Sequence, residues 1–407
     1  MELPFFVLVL VAITNRYFGG ALARRLAGKR FDARNESYEP TVAIVIPMFN
    51  EGKGIMDTIR SLLAQDYPAH KLTVTVVDDC STDDSLLWAR RAAEEQPERV
   101  LVIRNKYNVG KRMGIAHAVR RSQAEIIVSV DSDVVVSPTA VRELVSRFVS
   151  PDIAAVGGRV HVSNPNENWL TRMQTIKYHF GYCYLKSLER ACRTVMCLSG
   201  CLTAYRREVL LELEPILERR NVLGVPIKYG EDRFLTRQIV KAGYRTFITL
   251  DAECWTVAPN TLKKYFSQQL RWRRSNFIDY MMGISHVWKT NPFISLHYFT
   301  LFALQLAYPV LLVEQIALGR FFELAAFHIL VLGGMGALYR LETRNLPEEQ
   351  RVPALSFMAM GVVMPVTYLV VSALAFWTLD SSSWETRGHQ QAKPAPAPSV
   401  EAVDALL

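Results

Sequence analysis

Long apolar segments lie near both ends of the chain, and their lengths suit a lipid bilayer. Three of them occupy the C-terminal third, at about 293–318, 321–339 and 354–377. Each approaches the roughly 20 residues that a helix needs to cross a membrane. Pro365 and Thr367 interrupt the third segment, so it is predicted as a spanning helix, a re-entrant hairpin or an interfacial helix.

The N-terminal apolar segment is shorter. Residues 4–14 are a marginal span unless residues 15–23 extend them. A cleaved signal peptide is the alternative, because 21–23 read Ala-Leu-Ala, although no basic residue precedes the apolar run. Basic residues do follow it, at Arg16, Arg24, Arg25, Lys29 and Arg30. The positive-inside rule therefore predicts a transmembrane helix that ends on the cytoplasmic side and is followed by a cytoplasmic domain.

Short runs of β-branched residues alternate with segments of helical periodicity between residues 40 and 150. Strands are predicted within 41–51, 71–85, 99–105 and 125–137, with helices between them within 52–65, 86–96 and 110–122. This alternation indicates an α/β fold with a mostly parallel sheet. In such sheets ligands bind beyond the carboxyl ends of the strands, where the polar clusters of this sequence fall.

Composition and charge narrow the class of partner. The chain has 407 residues, half of them apolar, and a net charge of +8. That charge suits anionic lipid or a polyanionic ligand. We expect no nucleic-acid partner, because no nucleic-acid module is recognisable. The six cysteines form no CxxC pair, so we expect free thiols in a reducing cytoplasm and no zinc site.

Two acidic pairs follow predicted strands. Asp78 and Asp79 end the second strand, where a carboxylate could bind a nucleobase or ribose, or could simply belong to a capped turn. Asp131 and Asp133 lie two residues apart at the tip of the fourth strand. Two carboxylates at this spacing suit Mg²⁺ or Mn²⁺ bridged to a diphosphate, against the alternative of a solvated strand end.

Two predicted helices begin with charged residues. Gly110, Lys111 and Arg112 open one helix, where backbone N–H groups and two cations suit phosphate, although a surface charge pair fits equally well. Glu231 and Asp232 lie in the first turn of another. They either complement the helix dipole or include a general base, Asp232, for an attacking hydroxyl.

The segment 267–277, SQQLRWRRSNF, lies shortly before the first long C-terminal apolar stretch. Its composition allows a basic membrane anchor or part of a catalytic site. Helical geometry places Gln268, Arg271 and Trp272 on one side, with Gln269 about 100° around from Gln268. The neighbouring cations, together with three aromatic residues, are predicted to form an interfacial face. These cations are Lys263, Lys264, Arg273 and Arg274.

The order of these motifs resembles that of processive, membrane-embedded family 2 glycosyltransferases. The nearest resemblance is to hyaluronan synthases, chitin synthases and nodulation chitin-oligosaccharide synthases, over about residues 40–390. It implies a GT-A fold, a UDP-sugar donor, a divalent metal (Mg²⁺ or Mn²⁺) and inversion at the anomeric carbon. The residues at 384–388, WETRG, resemble the family motif that closes over the nucleotide, through Trp384 and Arg387.

The resemblance also implies residue roles. Asp79 would contact the uracil, and Lys111 and Arg112 the diphosphate end of the donor. Asp131 and Asp133 would form the metal-binding pair, with Asp133 the more direct ligand. Glu231 and Asp232 would belong to the catalytic motif, with Asp232 as the base. The acceptor region would be lined by Gln268, Gln269, Arg271 and Trp272.

This sequence departs from the family pattern at three positions. Cys80 replaces the glycine usual after the acidic pair, Cys201 stands where proline is common, and Glu385 replaces a glycine of the final motif. The N-terminal helix and the short tail are more similar to the nodulation type.

The predicted organisation has six parts. They are a transmembrane helix (1–22), a cytoplasmic GT-A domain (40–260), an interfacial helix (261–290), a C-terminal membrane region (291–380), a gating motif (381–388) and a disordered tail (389–407). Three full spans after residue 290 would place the gating motif outside the cell, so we predict instead that it is cytoplasmic.

The predicted function is a plasma-membrane synthase that uses UDP-N-acetylglucosamine to extend and secrete a β-linked polysaccharide of the hyaluronan or chitin type. Its partners would be the UDP-sugar donor, the growing polysaccharide and membrane lipid, and a monomer is compatible with it. The first alternative is a non-processive transferase that moves one sugar onto a lipid. The second is a non-catalytic membrane scaffold, against which the intact acidic and QQLRW motifs argue.

Overall fold

A computed structural model describes residues 2–28, 31–218, 221–222, 225–227, 229–346 and 351–380. Trp384, Arg387 and the tail lie outside the described residues. The strands are β1 (Val42–Met48), β2 (Leu72–Asp78), β3 (Val100–Arg104), β4 (Ile126–Val130), β5 (Val134–Val136), β6 (Ile153–Val162), β7 (Leu202–Arg206), β8 (Asn221–Val222), β9 (Val225–Pro226) and β10 (Arg245–Thr256).

Helices flank the sheet and extend beyond it. They are α1 (Glu2–Thr14), α2 (Gly20–Ala27), α3 (Ile55–Leu63), α4 (Ser85–Glu95), α5 (Lys111–Arg121), α6 (Ala140–Val145), α7 (Trp169–Phe180), α8 (Ser187–Ala191), α9 (Arg207–Glu218), α10 (Glu231–Lys241), α11 (Leu262–Val287), α12 (Pro292–Ala317), α13 (Phe321–Glu342), α14 (Met360–Val366) and α15 (Ser372–Trp377).

Eight strands form one mixed sheet in the order β3-β2-β1-β4-β7-β6-β10-β5. Its first four strands are parallel, as the alternation of strands and helices predicts. Antiparallel pairings enter with β7, which lies between β4 and β6, and with β5, which pairs with β10. Every side chain of β1 is buried, because separate apolar clusters cover the two faces of the sheet.

The predicted strand within 125–137 is two strands. The chain turns at Asp131–Asp133, and the Val134 N–H donates to the Asp131 carbonyl at 3.2 Å. β4 then pairs inside the sheet with β1 and β7, whereas β5 pairs with β10 at its edge. The two carboxylates therefore belong to a turn between strands, because polar residues interrupt an otherwise continuous apolar run.

The N-terminal segment is helical over its whole described length. A π-helical turn, Asn15–Gly19, joins α1 to α2, so the rod is long enough for a span over Leu3–Ala27. The Asn15 side-chain amide donates to the Phe293 carbonyl at 2.8 Å, which attaches this helix to the start of α12. Residues 15–23 therefore do extend the N-terminal apolar helix, which the sequence alone left open.

Four helical segments of the described chain are long and apolar enough to cross a membrane. They are Leu3–Ala27, Pro292–Ala317, Phe321–Glu342 and Ala354–Trp377. In the last of these, a 3₁₀ turn (Ala354–Ala359) leads into α14, and a π turn (Thr367–Val371) joins α14 to α15. Because the backbone stays helical throughout, the segment does not double back as a re-entrant hairpin would.

Both ends of this last helical segment touch the sheet domain and α11. Near its start, the Phe357 ring lies 5.7 Å from that of Phe180 in α7. Just beyond its end, Thr378 accepts a hydrogen bond from Arg274 of α11 at 3.0 Å, and the Leu379 carbonyl accepts one from the Tyr229 hydroxyl at 2.7 Å. The segment therefore starts and finishes beside the same domain.

Candidate active site

Lys111 joins the two acidic motifs at the carboxyl edge of the sheet. Its ammonium lies 2.5 Å from Asp131, in the turn after β4, and 3.0 Å from Glu231, in the first turn of α10. Burial alone would lower the pKa of Lys111, but the charges of Asp131 and Glu231 outweigh that effect and raise it well above its usual value. The group is therefore a permanent cation between the two motifs.

A glycine makes room for this cation. A Cβ atom at Gly200, in the loop before β7, would lie 2.6 Å from the Lys111 ammonium nitrogen. The loop backbone therefore closes one side of a small cavity beneath the strand ends. The residues lining it include Lys111, Arg112, Ser129, Gly200, Glu231 and Asp232.

Asp79 organises the loop that precedes Lys111. Its carboxylate accepts hydrogen bonds from the Val109 N–H at 2.9 Å, the Gly110 N–H at 2.7 Å and the Asn105 amide at 2.9 Å. These bonds hold Gly110 at a φ of +85°, and α5 starts at the next residue. Asp79 is therefore buried in loop contacts, and its predicted contact with a uracil stays a prediction.

Cys80 stands at a position whose backbone favours glycine. Its φ is +67°, in the left-handed region that a side chain disfavours. This explains physically why glycine suits the position after the acidic pair.

Asp232 and Glu231 share a helix turn but differ in their electrostatic surroundings. Burial would raise the pKa of Glu231, yet the adjacent Lys111 lowers it. Burial raises the pKa of Asp232, and the negative charge of Glu231 adds to the shift. Neighbouring carboxylates whose pKa values move apart are a recurring basis for acid and base assignments in enzymes. Asp232 therefore has the properties of a general base.

The two carboxylates of the Asp131–Asp133 turn are a donor set that suits a hard divalent ion. Mg²⁺ commonly takes one or two protein carboxylates and completes its coordination with substrate phosphates and water. No cluster of three or more His, Cys, Asp or Glu side chains arranged to hold a metal occurs in the described residues. The pair therefore fits a metal that a diphosphate helps to hold.

Arg112 is only partly where its predicted role requires. It lines the cavity beside Lys111, but its guanidinium also donates to the Ile227 carbonyl at 3.0 Å. It thereby ties the start of α5 to the segment before α10. This contact suits a role in holding the site together as well as in binding phosphate.

The QQLRW residues lie in the first half of α11 and face the sheet domain. Gln269 is 4% exposed, and its side-chain oxygen accepts a hydrogen bond from Lys177 of α7 at 3.0 Å. Trp272 presents its ring to the same ammonium, at 5.7 Å. Helical geometry places Gln269 about 100° around from Gln268, yet Gln269 makes this direct contact because α7 packs on the side that it shares with Trp272.

Three buried polar atoms of this motif have no hydrogen-bond partner within the described part of the chain. They are Gln268 Oε1, Gln269 Nε2 and Arg271 Nε. Because buried polar groups are normally paired, these three atoms are candidates for contacts with water or with a bound ligand.

One of the two arginines predicted to face the membrane surface is buried inside the protein. Arg274 is buried and donates to Thr378, and the Arg273 guanidinium lies 4.0 Å from the centre of the Tyr368 ring. The interfacial prediction is therefore wrong for Arg274, while for Arg273 it stays a prediction; both side chains contact the last helical segment or the residue just after it. Lys263 and Lys264 are exposed, and their predicted position at the membrane surface stays a prediction.

Sequence reasoning missed Lys177, Gly200 and the Arg237–Asp279 pair. Arg237 of α10 donates to Asp279 of α11 at 2.9 Å, with both side chains buried. Charged residues within an amphipathic helix resemble an ordinary polar face, so no local pattern marks Lys177, Arg237 or Asp279. Contacts between distant segments give them their roles.

Three comparisons with known proteins bear on this site. A profile described as glycosyltransferase like family 2 matches residues 40–275. A Rhizobium leguminosarum bv. viciae protein named N-acetylglucosaminyltransferase is 33% identical over 86% of this chain and 82% of its own length. A hyaluronan synthase of Streptococcus pyogenes is 33% identical over 65% of this chain and 63% of its own.

Coverage varies among the relatives. A Rhizobium meliloti protein named N-acetylglucosaminyltransferase is 35% identical, and the match spans 63% of this chain and 60% of the relative. A solved mannosyltransferase from Pyrobaculum calidifontis, in complex with GDP-Man and Mn²⁺, superposes with a TM-score of 0.64 at 23% identity, over 92% of this chain and 98% of that one. The expected GT-A fold is confirmed.

Proposed function

The chain belongs to glycosyltransferase family 2, and we propose that it is a membrane-embedded, processive, inverting transferase. Its donor is UDP-N-acetylglucosamine and its product a β-linked polysaccharide. The observation that carries this proposal is the Lys111 ion-pair network, which links Asp131 and Glu231 beside the cavity that Asp232 lines. The names of the relatives support the choice of donor sugar.

The chemistry follows from the groups at the site. An acceptor hydroxyl attacks the anomeric carbon of the donor from the face opposite the diphosphate. The new C–O bond forms as the bond to the diphosphate oxygen breaks, and UDP leaves with that electron pair. Asp232 accepts the hydroxyl proton. An α-linked donor therefore gives a β-linked product.

The cationic side of the site offsets the charge that develops on the leaving group. Lys111 and Arg112 stabilise the diphosphate electrostatically. Asp131 and Asp133 would hold Mg²⁺ or Mn²⁺, which supplies further neutralisation of that charge. The mannosyltransferase neighbour is described with Mn²⁺. Asp79 would orient the nucleotide, and Trp384 and Arg387 would close over it.

The helix contacts support a membrane arrangement that keeps both acidic motifs and the end of the last helical segment on one side. The first turns of α12 pack on the sheet domain, where Ile294 and Tyr298 meet Leu188 and Met196. α13 ends beside the same domain, because Glu342 bonds to His179 at 2.7 Å. We therefore infer that α12 and α13 cross the membrane as a hairpin whose turn, 318–320, lies on the far side.

The last helical segment does not cross in this arrangement. Its two ends contact the sheet domain and α11, which lie on one side of the membrane. An apolar stripe faces away from the protein, at Leu355, Val362, Val366, Val370 and Leu374. The segment therefore lies along the membrane interface with this stripe towards lipid. The chain then makes three crossings, with its catalytic domain and C-terminus in the cytoplasm.

The role of Asp232 is tested with one conservative pair of variants. Asp232→Asn keeps the shape but cannot accept the proton, so UDP release from UDP-N-acetylglucosamine should fall by about 100-fold or more. Asp57→Asn, at an exposed position of α3, is the matched control and should retain full rate. Full UDP release by Asp232→Asn would refute the proposed base.

A further inference from the structure

Lys177 is a largely enclosed cation whose described partners are all neutral. Its ammonium donates to Gln269 at 3.0 Å and to the Tyr265 hydroxyl at 3.3 Å. It also lies 5.4 Å and 5.7 Å from the ring centres of Tyr265 and Trp272. Within the described part of the chain it makes no ion pair, and burial together with the charge of Arg273 lowers the pKa of Lys177 to about 7.

Such a cation costs folding free energy unless an anion joins it. Enclosing an ammonium without an opposite charge is unfavourable, and neutral partners compensate only in part. Two nearby atoms are also hydrogen-bond donors: Gln269 Nε2 and Arg271 Nε are buried and have no acceptor among the described residues. Two unpaired donors, one of them on the Arg271 guanidinium, therefore accompany the Lys177 ammonium, and this combination suits an anionic ligand.

This anion is distinct from the donor's diphosphate. The cation on that side is Lys111, whose ion pairs are with Asp131 and Glu231. The contacts of Lys177 all run to α11, through Tyr265, Gln269 and Trp272. The two lysines therefore share no partner and lie in separate polar clusters.

The aromatic neighbours indicate the class of anion. Sugar rings bind against tryptophan faces, and Trp272 presents its ring beside Lys177. A sugar that carries a carboxylate would combine ring contact with charge pairing. Its two oxygens could accept from Lys177 and from the unpaired Gln269 amide, in charge-assisted hydrogen bonds.

We propose that Lys177 binds the carboxylate of a hexuronate unit in the acceptor chain. The product is then a polymer that contains N-acetylhexosamine and hexuronate, and Lys177 is a specificity-determining residue. This inference rests on the proposed transferase function, of which it names the acceptor class.

Oligosaccharide binding to the full-length protein in lipid nanodiscs tests the inference directly. The probes are a tetrasaccharide of alternating N-acetylglucosamine and glucuronate, and a tetrasaccharide of N-acetylglucosamine alone. The unmodified protein should bind the uronate probe at least about tenfold more tightly, as a charge-assisted hydrogen bond predicts. Lys177→Met should lose that preference, and Lys177→Arg should keep part of it.

Two further measurements separate the possible sources of the anion. Lys264→Met, at an exposed position in the first turn of α11, is the control and should bind both probes as the unmodified protein does. The affinity for UDP should be the same in Lys177→Met and in the unmodified protein. Weaker UDP binding in Lys177→Met would assign Lys177 to the diphosphate and overturn the inference.

Failure of the inference and failure of the proposed function give different results. Equal binding of the two probes, with normal UDP release from the donor, contradicts the hexuronate assignment alone. Absence of UDP release with every donor, with the probe preference intact, contradicts the transferase function and leaves the carboxylate site standing.

Discussion

Arg237 and Asp279 form a buried ion pair, with 2.9 Å between Nε and Oδ1, that joins α10, the helix of the proposed base Asp232, to α11, the helix of the QQLRW residues. Arg233, one turn earlier in α10, lies 3.9 Å from the other oxygen of the same carboxylate. The Tyr298 hydroxyl donates to the Asp279 carbonyl at 2.7 Å. Asp279 of α11 therefore contacts both α10 and α12, and these contacts fix the positions of the three helices relative to one another.

Removal of one partner of this pair should destabilise the protein strongly. Asp279→Leu leaves the Arg237 guanidinium buried without its counter-charge, a change that typically costs about 3–5 kcal/mol. The melting temperature in detergent should drop, and the double variant Arg237→Met/Asp279→Leu should recover part of the loss. Glu95→Gln, in the exposed Arg60–Glu95 pair, is the control and should not shift it. Equal shifts in the buried and exposed variants would contradict the role given to the buried pair.

Gly230 sets the separation between the first turn of α10, which carries Glu231 and Asp232, and α11. Its φ is +67°, and a Cβ there would lie 2.0 Å from Ser275 Oγ and 2.8 Å from Ser275 Cβ. Gly230→Ala should therefore displace Glu231 and Asp232 and reduce UDP release by about tenfold or more, since small displacements of catalytic groups have large effects on rate.

The control for Gly230 isolates the effect of backbone strain. Gly243 has a φ of +92° and open space around its Cβ position, so Gly243→Ala introduces strain without a clash. Gly243→Ala should lower stability but not the rate per folded molecule. Ser275→Gly should partly rescue Gly230→Ala, and a rate as low in Gly243→Ala as in Gly230→Ala would show that strain alone is responsible.

The rate should depend on pH through Asp232. Burial and the charge of Glu231 raise the pKa of Asp232, while Lys111 and Arg233 oppose the shift. Below that raised pKa the carboxyl is protonated and cannot accept the acceptor's proton, so kcat should fall as pH decreases through it. In Glu231→Gln the neighbouring charge is gone, and the acid limb should move to lower pH. Profiles of kcat against pH for the unmodified protein and for Glu231→Gln measure the acid limb and its shift. An acid limb at the same pH in both proteins would contradict the proposed effect of Glu231 on Asp232.

Side-specific labelling should distinguish three crossings from four. Leu318→Cys lies in the turn between α12 and α13, and Asp380→Cys lies just after the last helical segment. In a background without other cysteines, an impermeant thiol reagent applied to intact cells should label the first and not the second. In permeabilised cells the reagent should label both variants. Labelling of Asp380→Cys in intact cells would mean that the last segment crosses the membrane.

Local sequence patterns predict much of the fold because each strand and helix buries its own apolar face. The parallel strands β1 to β4, the start of α5 at Lys111 and the helix at Glu231 all follow from such patterns. The division of the 125–137 strand at Asp131 does not follow from such a pattern. β5 pairs with β10, about 120 residues further along the chain, and local patterns do not encode a pairing between such distant segments.

The candidate site, like the fold, depends on contacts between distant segments that local sequence patterns do not predict. Motif order brings Asp131, Glu231 and Asp232 to one place, but the sequence does not reveal that Lys111 bridges the first two. The roles of Arg274 and Gln269 depend on which segments pack against α11, namely the last helical segment and α7. A basic run has the same composition whether it faces lipid or another helix, so its environment follows only from the tertiary structure.

Product length with purified protein tests the central claim most directly. The full-length protein in lipid nanodiscs would receive UDP-N-acetylglucosamine alone, UDP-glucuronate alone, and both donors together. Products would be sized early, while most donor remains unused. A processive transferase gives long chains at this stage, sensitive to a hyaluronan lyase or a chitinase, with UDP released in proportion to the sugars added. Transfer of a single sugar to lipid, with no chain growth in any donor mixture, would contradict the proposal that the protein is a processive transferase.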